Sequence, residues 1–243
     1  MKNHISTEAI ILKHWDYGEK DQIISFITRE RGRLQGIAKG AKSSRYRFAG
    51  SLDLFCWSHL SFQEKKTGTL VFIQQARAIS SFPQIRSDYN SILLATGLLE
   101  MVYRFYREGE VDSRGFDILH GGLNKLDKLG SKKEIFWSCF LIHLKAVGLA
   151  PQFHQCVKCR NEVHPSEKRF DPAAGGIICK SCSFSSIQCF PISETLIDWI
   201  NVFEGKEKFL LKEDEILLNQ LLSEHLKYQM GLDLGWSRFL DFV

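Results

Sequence analysis

At 243 residues the chain is too long for most single hydrophobic cores and predicts two or three domains. A hydrophobic share of 44% with 12% aromatics excludes a disordered chain, and no apolar run approaches the roughly 18 uncharged residues of a membrane span. The net charge of +4 is unevenly spread: residues 1–80 hold thirteen Lys/Arg against seven Asp/Glu, the remainder nineteen against twenty-one. From Pro191 onward, five basic residues face ten acidic ones. Such asymmetry predicts a polyanion-facing N-terminal part and a different opposite end. MKNHISTEAI has no signal-peptide core, so the expected compartment is the cytoplasm.

The first eighty residues read as β. Glu8 to Lys13 is apolar and β-branched, Trp15 to Asp21 supplies a turn, and Ile23 to Thr28 is a second strand. Leu34 to Ala38 gives a short third strand after Gly32. Leu52, Leu54, Cys56, Leu60 and Phe62 alternate, and Lys66-Thr67-Gly68 reads as a hairpin turn into Leu70 to Ile73. Five short strands without a helical pattern favour a small closed barrel, because closure removes exposed edges. An OB-fold leads, with an SH3-like barrel as the alternative.

Pro83 ends the β region, and apolar residues then recur at helical spacing from Asp88 to Tyr106. Phe116, Leu119, Leu123 and Leu126 predict a second helix, and Lys133 to Val147 a third, stopped by Gly148 and Pro151. Ser193 is the expected N-cap of a helix carrying Leu196, Ile197 and Ile200, and Glu213 to Met230 forms the last long helix. The class is therefore α+β and multidomain. A barrel domain spans 1–80, a helical domain 81–150 and 191–243, and a cysteine-rich insertion 151–190.

That insertion holds two CxxC pairs, Cys156/Cys159 and Cys179/Cys182, nineteen residues apart. Each CxxC turns back on itself, so two such knuckles can direct four thiolates at one ion in a closed tetrahedral site. Structural zinc is the expected occupant. Disulfides would require an oxidising compartment, a redox CxxC is usually single, and a catalytic zinc keeps a position for water. Gly175 and Gly176 are expected to permit the positive φ of a tight turn. His154 and His164 flank the knuckles and could replace one cysteine as ligand, but with four cysteines at the right spacing both read as bystanders. Cys56, Cys139 and Cys189 read as small buried hydrophobes.

The other chemically suggestive stretch is basic. Between Arg29 and Arg47 lie Arg29, Arg31, Arg33, Lys39, Lys42, Arg45 and Arg47, with Glu30 as the one acid. Tyr46 and Phe48 interleave with them. Lys/Arg side chains neutralise phosphates and aromatic faces stack on unpaired bases, so this pattern on a small barrel predicts nucleic-acid contact. A solvated basic loop is the blander reading. No phosphate loop, dinucleotide fingerprint, nucleophile elbow or HExxH is present, and an enzyme is not expected.

YGEKD (Tyr17 to Asp21), FITRERG (Phe26 to Gly32) and IAKGAKSSR (Ile37 to Arg45) follow one another in this N-terminal part. With CVKC, CKSC and the ending GLDLGWSRFL (Gly231 to Leu240), they resemble the RecO family of recombination-mediator DNA repair proteins. The resemblance spans essentially the whole chain. It implies an OB-fold barrel, then a helical domain bearing a four-cysteine zinc finger. It also implies binding of single- and double-stranded DNA and annealing of complementary strands. The implied partners are RecR, the acidic-hydrophobic tail of the single-stranded-DNA-binding protein and, indirectly, RecA, in a bacterial nucleoid. The family's basic barrel positions match Lys39, Lys42 and Arg45, with Ser43-Ser44 where consecutive arginines are common. Two other classes remain: a zinc-ribbon transcription or translation factor using the barrel for RNA, and a scaffold whose basic barrel meets an acidic protein.

Overall fold

A computed structural model describes residues 4–44, 46–64, 69–164, 167–186, 188–202 and 209–231. The chain forms two compact units, Met1–His143 and Leu144–Val243. Arg45, the Lys66 to Gly68 turn and most of the GLDLGWSRFL ending lie outside the described residues.

The first unit begins with β1 (His4–Tyr17), β2 (Asp21–Thr28), β3 (Gly32–Ala38), β4 (Trp57–Gln63) and β5 (Val71–Ser80). They close a barrel in the order β1-β2-β3-β5-β4, with β4 returning antiparallel to β1. The β3–β5 pairing is parallel and the other four are antiparallel, the OB arrangement. A register shift between Ile11 and Lys13 lets the long β1 bend and pair on both sides. Ala9, Ile11, Ile24, Phe26, Leu60, Phe62 and Ile73 fill the interior, as alternate residues of a strand must. A Cβ on Gly36 would lie 2.7 Å from the Ile73 side chain, so the parallel β3–β5 approach requires a glycine there. The alternating run from Leu52 begins as a strand only at Trp57, since Leu52 and Leu54 lie in turns whose buried residues cap the core.

A short α1 (Pro83–Ser87) follows, then α2 (Tyr89–Phe105), α3 (Ser113–Leu129) and α4 (Lys133–Ala146), which carries the chain into the second unit. The Asp88 carboxylate accepts the Ser91 N–H at 2.9 Å and caps α2, and Asp112 caps α3 through the Arg114 N–H at 3.0 Å. The helices are tied to the barrel. Lys13 meets Glu100 at 3.2 Å, Gly109 donates its N–H to the Arg33 carbonyl at 2.8 Å, and Gly32 passes so close to the Glu110 carbonyl that no Cβ fits.

The second unit holds a three-stranded sheet, β7-β6-β8, from β6 (Arg169–Asp171), β7 (Gly176–Ile178) and β8 (Phe190–Pro191). It also contains α5 (Lys180–Ser183), α6 (Glu194–Val202) and α7 (Lys212–Met230). Ser193 caps α6 as expected, its hydroxyl accepting the Leu196 N–H at 3.1 Å and donating to Asp214. Phe153 stacks on Phe170, whose ring meets His225 of α7 edge-on, and His225 Nε2 donates to the Leu149 carbonyl at 2.8 Å. The cysteine module is thereby seated on α7.

Candidate nucleic-acid interface and metal centre

The seven cations of the basic stretch separate into two groups. Arg29 and Arg31 occupy the β2–β3 turn, where Arg29 pairs with Asp117 at 2.6 Å and Arg31 with Glu64 at 2.6 Å. Arg33 is half-buried; its Nε donates to the Tyr106 carbonyl at 2.8 Å and its guanidinium covers the Tyr103 ring. Arg29 and Arg33 fasten the barrel to the helices, and Arg31 ties the β2–β3 turn to the end of β4.

Lys39, Lys42, Tyr46 and Arg47 come together at the other end of β3, roughly 20 Å away along seven residues of strand. Ala41–Ser43 forms a 3-10 turn there. The Gly40 N–H donates to Asp21 at 2.7 Å and the Lys42 N–H to the Lys20 carbonyl at 3.1 Å, docking the turn on the β1–β2 hairpin. Arg47 Nη2 donates to the Lys39 carbonyl at 2.6 Å, and the Arg47 carbonyl accepts from Ala76 of β5. These bonds hold the turn at the surface: Lys39, Lys42 and Arg47 are exposed, and Tyr46 is 94% exposed. Phe48 is instead buried in the barrel core. Lys42 meets Asp16 at 2.8 Å, and that hydrogen bond holds the Asp16 carboxyl below its ordinary range.

Lys20 and the exposed Tyr17 lie in the hairpin against which the 3-10 turn docks. In the sequence that hairpin reads as a turn and a family motif, with no contact role of its own. The signal that pointed further is its Lys20 close to Gly18, in a barrel class whose β1–β2 loop commonly meets ligand.

In the second unit the four cysteines converge, with all Sγ atoms within 4.8 Å of one another. The first knuckle is closed by the Cys156 N–H donating to the Asn161 carbonyl at 2.9 Å and the Arg160 N–H to the Cys156 carbonyl at 2.8 Å. Arg160 adopts φ 63° at that turn. The second knuckle enters α5, where the Ser183 N–H donates to the Cys179 carbonyl at 3.0 Å. Val157 N–H to Ile177 O at 2.9 Å and Cys179 N–H to Cys156 Sγ at 3.4 Å join the two. Gly175 has the expected positive φ of +78°. Gly176 does not; it is a glycine because a Cβ would stand 2.5 Å from the Gln152 carbonyl.

Burial opposes ionisation of Cys156, but N–H groups of Cys159, Cys179 and Lys158 outweigh it and bring the thiol down to about 6. Hydrogen bonding with Cys179, then desolvation and the neighbouring sulfurs, pushes Cys182 up to about 12. Four thiolates this close need a cation among them. A tetrahedral site with metal–sulfur bonds of about 2.3 Å has sulfur–sulfur edges of about 3.8 Å, and Cys159 and Cys179 stand 3.8 Å apart. The donor set fits a closed metal site that could hold one ion. Of the remaining cysteines, Cys56 and Cys139 are buried and Cys189 is half-buried. Burial, first among its causes, raises the Cys139 thiol to about 11.

An OB-type barrel followed by helices and a four-cysteine module defines the class. The model of the recombination protein O N-terminal region matches residues 1–82, and that of its C-terminal region residues 86–237. A DNA repair protein RecO of Syntrophus aciditrophicus (strain SB) is 33% identical over 248 residues, covering 98% of this chain and 95% of that protein. Those of Anaeromyxobacter dehalogenans (strain 2CP-C) and Myxococcus xanthus (strain DK1622) are 26% and 29% identical, covering 99% and 97% of the chain and 97% and 95% of their own lengths. The chain belongs to the RecO family, and its field of action is DNA repair and recombination. Among the described residues, no helix is long and apolar enough to cross a membrane.

Proposed function

We propose that the chain is a non-enzymatic recombination mediator of the bacterial cytoplasm. It binds single- and double-stranded DNA on the barrel and anneals complementary strands. With RecR, it loads RecA onto DNA coated by single-stranded-DNA-binding protein, whose acidic-hydrophobic tail it engages. The observation that carries this reading is an anchored surface turn with exposed Lys39, Lys42, Arg47 and Tyr46, docked beside Lys20. Cations on a fixed backbone neutralise phosphates without reading sequence, and an exposed ring accepts an unpaired base. Arg45, which lies outside the described residues, is assigned to this contact from the sequence alone. Arg29, Arg31 and Arg33 add to the positive field, with their guanidinium groups already engaged by Asp117, Glu64 and the Tyr106 carbonyl.

The four cysteines hold one structural zinc ion, and the metal organises the 151–190 module. Annealing then proceeds by charge neutralisation, with no hydrolysed cofactor. The test is annealing of labelled complementary oligonucleotides without nucleotide triphosphate. Acceleration by the protein is expected, together with its loss in Lys20→Ala/Lys39→Ala/Lys42→Ala. Absence of acceleration, or acceleration only while nucleotide is hydrolysed, overturns the reading. An RNA competitor that displaces DNA of equal sequence favours an RNA-directed factor instead.

A further inference from the structure

The cysteine module displays cations and a ring that the second unit does not use. Lys158 pairs with Asp171 at 3.1 Å. Arg160 and Lys180 are exposed, and among the described residues neither pairs with a carboxylate. Each directly follows a cysteine, Cys159 and Cys179, so the convergence of the four sulfurs within 4.8 Å brings both cations to the metal end of the module.

Phe184, two residues beyond Cys182, is 85% exposed, second among the described aromatics only to Tyr46. Its backbone is not loose. Ser183, Ser185 and Ser186 donate their N–H groups to the carbonyls of Cys179, Cys182 and Ser183, and the Ser186 hydroxyl donates to Asp171 at 2.6 Å. An apolar ring is thus held out on a fastened turn. In the chain it is flanked by Ser181, Ser183, Ser185 and Ser186, which offer hydroxyls beside the ring. A ring among hydroxyls, with cations a few residues away, matches a strand that offers a phosphate and an unstacked base together. The barrel turn has the same make-up, with Tyr46 among Lys39, Lys42 and Arg47.

We propose that the cysteine module is a second single-strand contact, in which Arg160 and Lys180 neutralise phosphates and Phe184 stacks on a base. The inference rests on the reading of the chain as a strand annealer and deepens it. One strand is held by the barrel and the other by the module, so a single chain carries both partners of the reaction.

The test uses the full-length, zinc-loaded protein and oligothymidylate of about 12 nucleotides, within the span of one OB-type site. Titration well above the dissociation constant gives the number of oligomers per chain, and annealing of complementary mixed-sequence strands gives the rate. Wild type is expected to bind two oligomers per chain. Arg160→Ala/Lys180→Ala/Phe184→Ala is expected to bind one, with zinc content and melting unchanged, and to anneal about tenfold more slowly. Two oligomers per chain and an unchanged rate in the variant overturn the proposal, as does a single oligomer per wild-type chain. If the triple variant loses zinc, Phe184→Ala alone, which removes an exposed ring, decides by whether annealing slows. Failure of wild type to bind oligothymidylate at all removes the mediator reading itself, an outcome distinct from losing the second site.

Discussion

Tyr46 and Phe48 show how two neighbouring aromatics divide between solvent and core. Tyr46 projects from the 3-10 turn region into water, while Phe48 plugs the barrel interior beside Leu52 and Cys56. Opposite results are expected on truncation. Tyr46→Ala should leave melting unchanged and weaken single-strand binding by about tenfold, the lower part of the range for one base–aromatic stack. Phe48→Ala should cost about 3–5 kcal/mol of stability, measured by denaturant unfolding. In the sequence both rings lie among the same cations, and nothing local separates them. The separation is tertiary: Phe48 joins the barrel core, while Arg47 between the two rings is held to Ala76 and Lys39 and Tyr46 is left exposed. The cysteines are the contrary case: their spacing alone located a four-sulfur cluster that could hold a metal ion. Cys159→Ser should lose stoichiometric zinc and melt the module at a lower temperature, because metal affinity in small zinc domains is largely folding energy. Full zinc content with unchanged melting would contradict this.

Between elements, the barrel and its helices are joined by polar ties that sequence reading could not supply. Arg29 and Asp117 are 88 residues apart in the chain, and Arg33 and Tyr106 are 73 apart. In sequence these arginines look like members of one basic patch. Burial works against charge on Glu100, but hydrogen bonds from Arg104 and Lys13 prevail and hold its carboxyl below the ordinary value of 4.5. A folded-state pKa lower than the unfolded one adds stability above the unfolded value, and that stability is lost as pH falls through the folded one. Glu100→Gln should therefore lower stability at pH 7 by less than about 1 kcal/mol, since Lys13 is partly exposed and the pair is screened. The gap should close below about pH 4.5 in paired melting curves; a gap that persists there would assign the effect to packing.

Helix limits were legible for a physical reason. Asp88 and Ser193 cap with side chains visible in the sequence, and the structure begins α2 and α6 one residue beyond them. Ser193→Ala should cost about 1 kcal/mol. The short β6, β7 and β8 were not legible, because two- and three-residue strands carry no period and exist only through pairing across the module. The full length of β1 was missed for a related reason: its ends, His4 to Thr7 and His14 to Tyr17, are mostly polar or exposed and become strand by pairing with β4 and β2.

At the scale of the whole molecule, the basic N-terminal barrel is assigned to DNA and the cysteine module to order and a second strand. The central claim is electrostatic contact at the barrel turn. The most direct measurement is fluorescence anisotropy of a labelled single-stranded oligonucleotide across a salt series. Wild type would be compared with Lys20→Ala/Lys39→Ala/Lys42→Ala. If Lys20, Lys39, Lys42, Arg45 and Arg47 each neutralise one phosphate, log K should fall with log salt at a slope of about −3.5 for wild type. Removing three of those cations should bring the slope to about −1.4. A slope near zero for wild type, or one that the variant leaves unchanged, would contradict the account.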